Sequence, residues 1–102
     1  PQLVRKIELD PATFRQVQRG MRLAVTEGSA RRLNTLPITV AGKTGTAQPG
    51  GDVEPHAWFT GYAPYENPQI AITVLIENGG EGSAVSVSVA EQALRWYAEN
   101  RL

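Results

Sequence analysis

Proline and glycine cut the middle of this chain into three short β-type runs, and that punctuation limits the fold more than any other feature. Pro37 precedes the first run, Ile38 to Gln48, which is rich in Thr and small residues and stops at Pro49-Gly50-Gly51-Asp52. The second, about His56 to Ala63, alternates Trp58, Thr60 and Tyr62 with Ala57, Phe59 and Gly61. Pro64 and the Asn67-Pro68 turn separate it from the third, Ile70 to Ile76. That third run is apolar on both faces, which predicts a central strand covered on both sides. Gly79, Gly80 and Gly82 then break the chain again. Connections this short cannot carry a parallel crossover, so the three runs are expected to pair antiparallel.

Helical patterns flank the β-runs. Asp10 suits an N-cap and Pro11 the first helical position, and Phe14, Val17, Met21, Ala24 and Val25 recur at helical spacing. Gly28 sits where a C-terminal cap belongs, giving a helix over about 11–27 and a loop over 28–37. Residues 1–9 alternate loosely, as a short strand or an extended arm would. Near the end, Val85, Val89, Ala93 and Trp96 fit one helical stripe, and 91–95 favour helix strongly. A second helix is expected from about Ser83, with Trp96 and Tyr97 docking it on the sheet. The order helix, three antiparallel strands, C-terminal helix predicts an α+β layered fold.

Composition removes several function classes. At 41% hydrophobic and 20% charged, the 102 residues read as globular and not as disordered. Ten basic and ten acidic residues cancel, so no overall charge favours a nucleic acid or an anionic membrane as partner. The pair Arg31-Arg32 reads as a solvated loop. There is no Cys, hence no disulfide and no thiolate metal site. No apolar run approaches the roughly 20 residues that cross a bilayer, and no signal peptide is visible. A start at Pro1, without Met, is expected of a piece of a longer product.

Chemistry concentrates in Ala41-Gly42-Lys43-Thr44-Gly45-Thr46. Gly-Lys-Thr ends a Walker A loop, but that motif needs a glycine where Pro37 stands and a helix where the Pro49-Gly50-Gly51 turn stands. Two readings remain. In one, the small residues merely let a helix pack closely against a strand. In the other, they form the Lys-Thr-Gly box of serine acyl-transfer enzymes. An edge strand offers unpaired N–H groups to a developing oxyanion. Glycine lets a substrate backbone lie against the strand, and lysine supplies positive charge beside a carboxylate and the hydroxyls that move protons. The box alone does not decide between them.

The surrounding chain does. Val40 to Gln48, then His56-Ala57-Trp58-Phe59-Thr60-Gly61-Tyr62-Ala63-Pro64, then Ile70 to Gly79 resemble, in this order, the C-terminal part of class B penicillin-binding proteins, the elongation-type group especially. The resemblance covers roughly residues 8–100. It implies the penicillin-binding protein/serine β-lactamase-like fold, with residues 1–102 as the C-terminal part of an incomplete transpeptidase domain. It implies a peptidoglycan D,D-transpeptidase that acts on the D-Ala–D-Ala stem peptide and is acylated by β-lactams. Lys43 and Thr46 are the implied catalytic residues, Lys43 beside a Ser-x-Asn serine and the Thr46 N–H as an oxyanion donor. Thr44, Gly45 and Thr46 are the implied substrate-binding residues. No cofactor or metal is implied. The implied partners are the N-terminal part of the domain and proteins of cell-wall elongation. The implied location is the bacterial membrane, with the catalytic domain outside the cytoplasm and the anchor in another part of the chain.

The family's nucleophile lies in Ser-x-x-Lys, and neither that motif nor Ser-x-Asn occurs here. The serines are Ser29, Ser83, Ser86 and Ser88, and the only lysines are Lys6 and Lys43. These residues alone are therefore expected to be inert. A β-lactamase, a β-lactam sensor and a non-catalytic binding module of the same fold are the alternatives. His56 reads as a strand-start histidine, Glu77 as structural, and Trp58, Phe59 and Tyr62 as packing residues. With its N-terminal neighbour strand absent, the third strand's open edge is expected to promote association.

Overall fold

A computed structural model describes residues 1–102. Helix α1 spans Pro11–Thr26, a 3₁₀ helix Arg31–Thr35, strands β1, β2 and β3 Ala41–Ala47, His56–Ala63 and Ile70–Ile76, and helix α2 Val85–Asn100. The sheet has the order β1-β2-β3, with both pairs antiparallel. The α+β arrangement is the expected one, and the strand limits depart from expectation only in β1, which begins at Ala41 and not at Ile38.

Local chemistry accounts for the helix ends. The Asp10 carboxylate accepts from the Ala12 N–H at 2.8 Å and Pro11 lacks a donor there, which leaves fewer orphan N–H groups. At the other end the N–H groups of Gly28 and Ala30 both donate to the Ala24 carbonyl, at 3.2 and 2.9 Å. A Cβ on Gly28 would stand 2.9 Å from the Ala24 Cα, so this turn closes only with glycine. The expected loop after it holds the 3₁₀ helix, whose Leu33 is fully buried. Residues 1–9 are exposed and form neither helix nor strand.

Side-chain alternation gives the sheet two faces. One carries Gly42 and Thr44 from β1, Phe59, Gly61 and Ala63 from β2, and Ile72 and Val74 from β3, in register. Phe59, with Val25, Leu33, Val40, Val87 and Leu94, makes the core on that side. Burying a side chain such as Phe59 contributes about 1.5–3 kcal/mol. The opposite face presents Lys43, Thr60 and Thr73 in one row and Gly45, Trp58 and Leu75 in the next. It is largely open.

That openness corrects two expectations. β3 is an edge strand here, and its Ala71, Thr73 and Leu75 are exposed, because nothing among these residues covers the second face at β3; α1 reaches only its Ala41–Tyr62 end. Helix α2 buries Ser86, Val87, Ala90 and Leu94 instead of the Val85–Val89–Ala93–Trp96 stripe. Trp96 is 55% exposed and stacks on the Arg101 guanidinium, with Tyr97 only half-buried, so Trp96 does not dock the helix. Valine alternating with serine allowed both stripes, and the side chains available under the helix chose between them. The helix also starts two residues late, at Val85. In α1 only Val25 is buried, while Phe14 and Val17 remain exposed.

Candidate functional site

Strand β1 has two unlike halves. The first is packed: Val40 and Ala41 are fully buried, and the Arg22 guanidinium of α1 donates to the Val40 carbonyl at 2.7 Å. Gly42 belongs to this half. A Cβ there would collide with the Phe59 ring, and one on Gly61 would stand 2.7 Å from the same ring. These two glycines make room for Phe59. The second half, Lys43 to Ala47, has β2 on one side and no strand on the other. No strand pairs with its outer edge, so its outward-turned N–H groups can pair with a ligand.

Gly45 lies in that open half, and nothing in the chain demands it. A Cβ there would meet only the Trp58 Cβ, at 3.4 Å, an ordinary contact. Close helix packing explains Gly42 and does not explain Gly45.

The box side chains divide between the faces. Lys43 projects on the open face, beside Thr60 of β2, and its ammonium donates to the Thr44 carbonyl at 2.7 Å. Thr44 and Thr46 project on the other face. The Thr44 hydroxyl shares a 2.8 Å hydrogen bond with Ser29, which follows α1. The Thr46 hydroxyl donates to the Glu81 carboxylate and accepts from the Gly82 N–H, both at 3.3 Å, just before α2. Gly82 presses on β1 and β2 so closely that a Cβ would strike the Gly45 carbonyl. An extended ligand along the free edge would have a cation on one side and two hydroxyls on the other. Such an edge can hold a peptide backbone and a carboxylate.

Ser29 and Glu81 were not singled out from sequence. Both lie far from the box along the chain, and no motif marked them. A Ser beside a helix-ending glycine, and a Glu among glycines, were the only signals. Of the residues set aside as structural, His56 accepts the Asn78 N–H on Nδ1 at 3.0 Å, and Glu77 is exposed. Phe59 is core, whereas Trp58 stays 38% exposed on the open face. No group of three or more His, Cys, Asp or Glu side chains converges.

Two titrating groups are displaced, both at the far end of the strands. The Glu66 carboxyl is held below its ordinary value first by the Thr39 hydroxyl, which donates to it at 2.6 Å. Burial, followed by the neighbouring Tyr65 phenol, pushes the Tyr62 hydroxyl up, against a smaller effect of Gln18. Tyr62 stacks on Tyr65 at 6.4 Å between ring centres, and its buried hydroxyl has no partner of good geometry. It borders an apolar groove of about 550 Å³ formed with Leu9, Phe14, Val17, Met21 and Pro68.

An edge strand with this division of Lys, Thr and Gly, packed against two helices, defines part of a serine acyl-transfer fold. Residues 1–95 match the penicillin binding protein transpeptidase domain, and the chain belongs to that family. It is 34% identical over 108 residues to the peptidoglycan D,D-transpeptidase MrdA of Haemophilus influenzae, covering 89% of this chain and 17% of that protein. Among solved structures it resembles Pseudomonas aeruginosa PBP2 in complex with WCK 5153. There the TM-score is 0.86 and the identity 39%, over 99% of this chain and 23% of that one. It also resembles PBP2 of Helicobacter pylori in its complex with MreC, with a TM-score of 0.75 and 31% identity. That match covers 92% of this chain and 19% of the other. The chain thus spans less than a quarter of each of these relatives.

Proposed function

We propose that residues 1–102 are the C-terminal part of the transpeptidase domain of a peptidoglycan D,D-transpeptidase, and that they supply its Lys-Thr-Gly strand. A serine from another part of the domain attacks the carbonyl of the penultimate D-Ala of a stem peptide. An ester forms, the bond to the terminal D-Ala breaks, and the serine proton passes to the departing amine. An amine of a neighbouring strand then displaces the serine, which recovers its proton as the new amide forms. β-Lactams acylate the same serine.

Within this reading the residues have distinct tasks. The Lys43 ammonium keeps the proton-transfer side of the cleft positive. The Thr44 and Thr46 hydroxyls bind the carboxylate of substrate or drug, and the Thr46 N–H serves the oxyanion. Gly45 admits the ligand backbone. The single observation that carries the reading is the empty space at Gly45, a glycine for which packing within the chain gives no reason. The names of the similar proteins support the reaction. The Helicobacter pylori relative solved with MreC supports a cell-wall partner of that kind, and an enzyme of peptidoglycan acts outside the cytoplasm, at the bacterial membrane.

Labelling with a fluorescent penicillin tests the proposal. Residues 1–102 alone, with no Ser-x-x-Lys, are expected to stay unlabelled, and the full-length protein to form a covalent adduct. An unlabelled full-length protein would overturn the transpeptidase reading in favour of a binding module. Labelling of the short chain would overturn the assignment of the nucleophile to another part of the protein.

A further inference from the structure

We propose that Ser29 is a positioning residue for the carboxylate-binding hydroxyl of Thr44, an inference that rests on the transpeptidase reading above. The two hydroxyl oxygens are 2.8 Å apart, the shortest link between the box and the helical layer beneath it. Ser29 cannot drift from this place. Gly28 before it is pressed against Ala24, Ala30 after it is fully buried, and both donate their N–H to the Ala24 carbonyl. The hydroxyl therefore stands on a fixed turn at the end of α1, opposite a fixed strand.

Either hydroxyl can donate in this pair, but once an anion takes the Thr44 proton, Ser29 must be the donor, and that gives Ser29 its role. A threonine hydroxyl has one proton and two acceptor lone pairs. When Ser29 donates to Thr44 Oγ1, the Thr44 proton is left to point at an anion on the strand edge. Without that donor the Thr44 rotor is free, and its proton can turn to other acceptors. Thr46 makes the contrast clear. Its proton already points to the Glu81 carboxylate, so an incoming anion must displace Glu81 before Thr46 can donate. Thr44 faces no carboxylate competitor, and the Ser29 hydroxyl can turn to donate as the ligand arrives, holding the Thr44 rotor in place.

The test uses the full-length protein and two probes, a fluorescent penicillin with its ring carboxylate free and the methyl ester of the same molecule. Ser29→Ala is expected to lower the second-order labelling rate of the free acid about fivefold, the size of one hydrogen bond. The ester, which has no anion to hold, should change less than about twofold. Ser29→Thr should restore most of the rate, and in a Thr44→Val background Ser29→Ala should add nothing. A wild-type rate for Ser29→Ala with the free acid overturns the proposal. So does an equal loss on acid and ester, with a lowered Tm, because that is the signature of a merely structural serine. If the wild-type protein reacts with neither probe, the transpeptidase reading itself fails, an outcome distinct from any effect of Ser29.

Discussion

The two glycines of β1 sit three residues apart on one strand, and they answer to different demands. Gly42 is filled space. The Phe59 ring occupies the volume a side chain would take, and Arg22 and Val40 lock the strand around it. Gly45 is empty space, with an unoccupied edge on one side and only the Trp58 Cβ at contact distance on the other. The packed half fixes where the strand lies. The open half keeps its backbone and its Lys43, Thr44 and Thr46 side chains available. A strand can thus be a rigid part of the core and a binding surface within seven residues, which is the condition for holding reacting groups to small tolerances.

The largest expected effect lies in the open half. Lys43→Ala in the full-length protein should cut the rate of penicillin acylation by about a hundredfold or more. Its Tm should hardly move, because the side chain is exposed and binds only its neighbour's carbonyl. A large fall in Tm would place Lys43 with the packed half. In the packed half the corresponding change is thermodynamic. Phe59→Ala should cost about 3–5 kcal/mol in urea unfolding, since it empties the volume that Gly42 and Gly61 leave for the ring.

Smaller effects sharpen the contrast between the two threonines. Glu81→Gln removes a negative charge beside Thr46, and acylation by a carboxylate-bearing penicillin should rise about twofold to threefold. A fall in rate would mean that Glu81 helps the anion site instead of competing with it. The smallest effect is at the far end of the strands. Because the folded pKa of Glu66 is depressed, its contribution is present above the unfolded carboxylate value and is lost as pH falls through the folded one. Thr39→Val should therefore raise the Glu66 pKa and slightly flatten the acid limb of the stability–pH curve, read from urea midpoints across the carboxylate range. An unchanged acid limb would remove Thr39 as the cause.

Much of this was legible in the sequence, for reasons tied to particular residues. Pro64, Asn67-Pro68 and Gly79-Gly80 break the backbone whatever lies around them, so β2 and β3 end where they were expected to end. Asp10-Pro11 likewise sets the start of α1 without tertiary help. The family was legible in the ordered blocks around Lys43. What escaped depended on neighbours distant in the chain. Valine–serine alternation in α2 offers two faces, and Phe59 and Leu33 beneath it selected the Val87–Leu94 face. Nothing local to Ser29 or Glu81 reports that the chain brings them to Thr44 and Thr46. The apolar run of β3 suggested two covered faces, and these 102 residues cover one. Trp58 and Leu75 stand exposed on the other face.

The division of β1 is tested most directly by placing the same methyl group on each glycine of the full-length protein and measuring Tm and penicillin acylation for both. Gly42→Ala is expected to cost about 1–3 kcal/mol of stability through its collision with Phe59. Gly45→Ala should leave Tm nearly unchanged and slow acylation by about tenfold or more, because the methyl group meets the ligand and not the protein. A Gly45→Ala protein acylated at the wild-type rate, or destabilised as much as Gly42→Ala, would contradict the claim that this glycine is kept for a ligand.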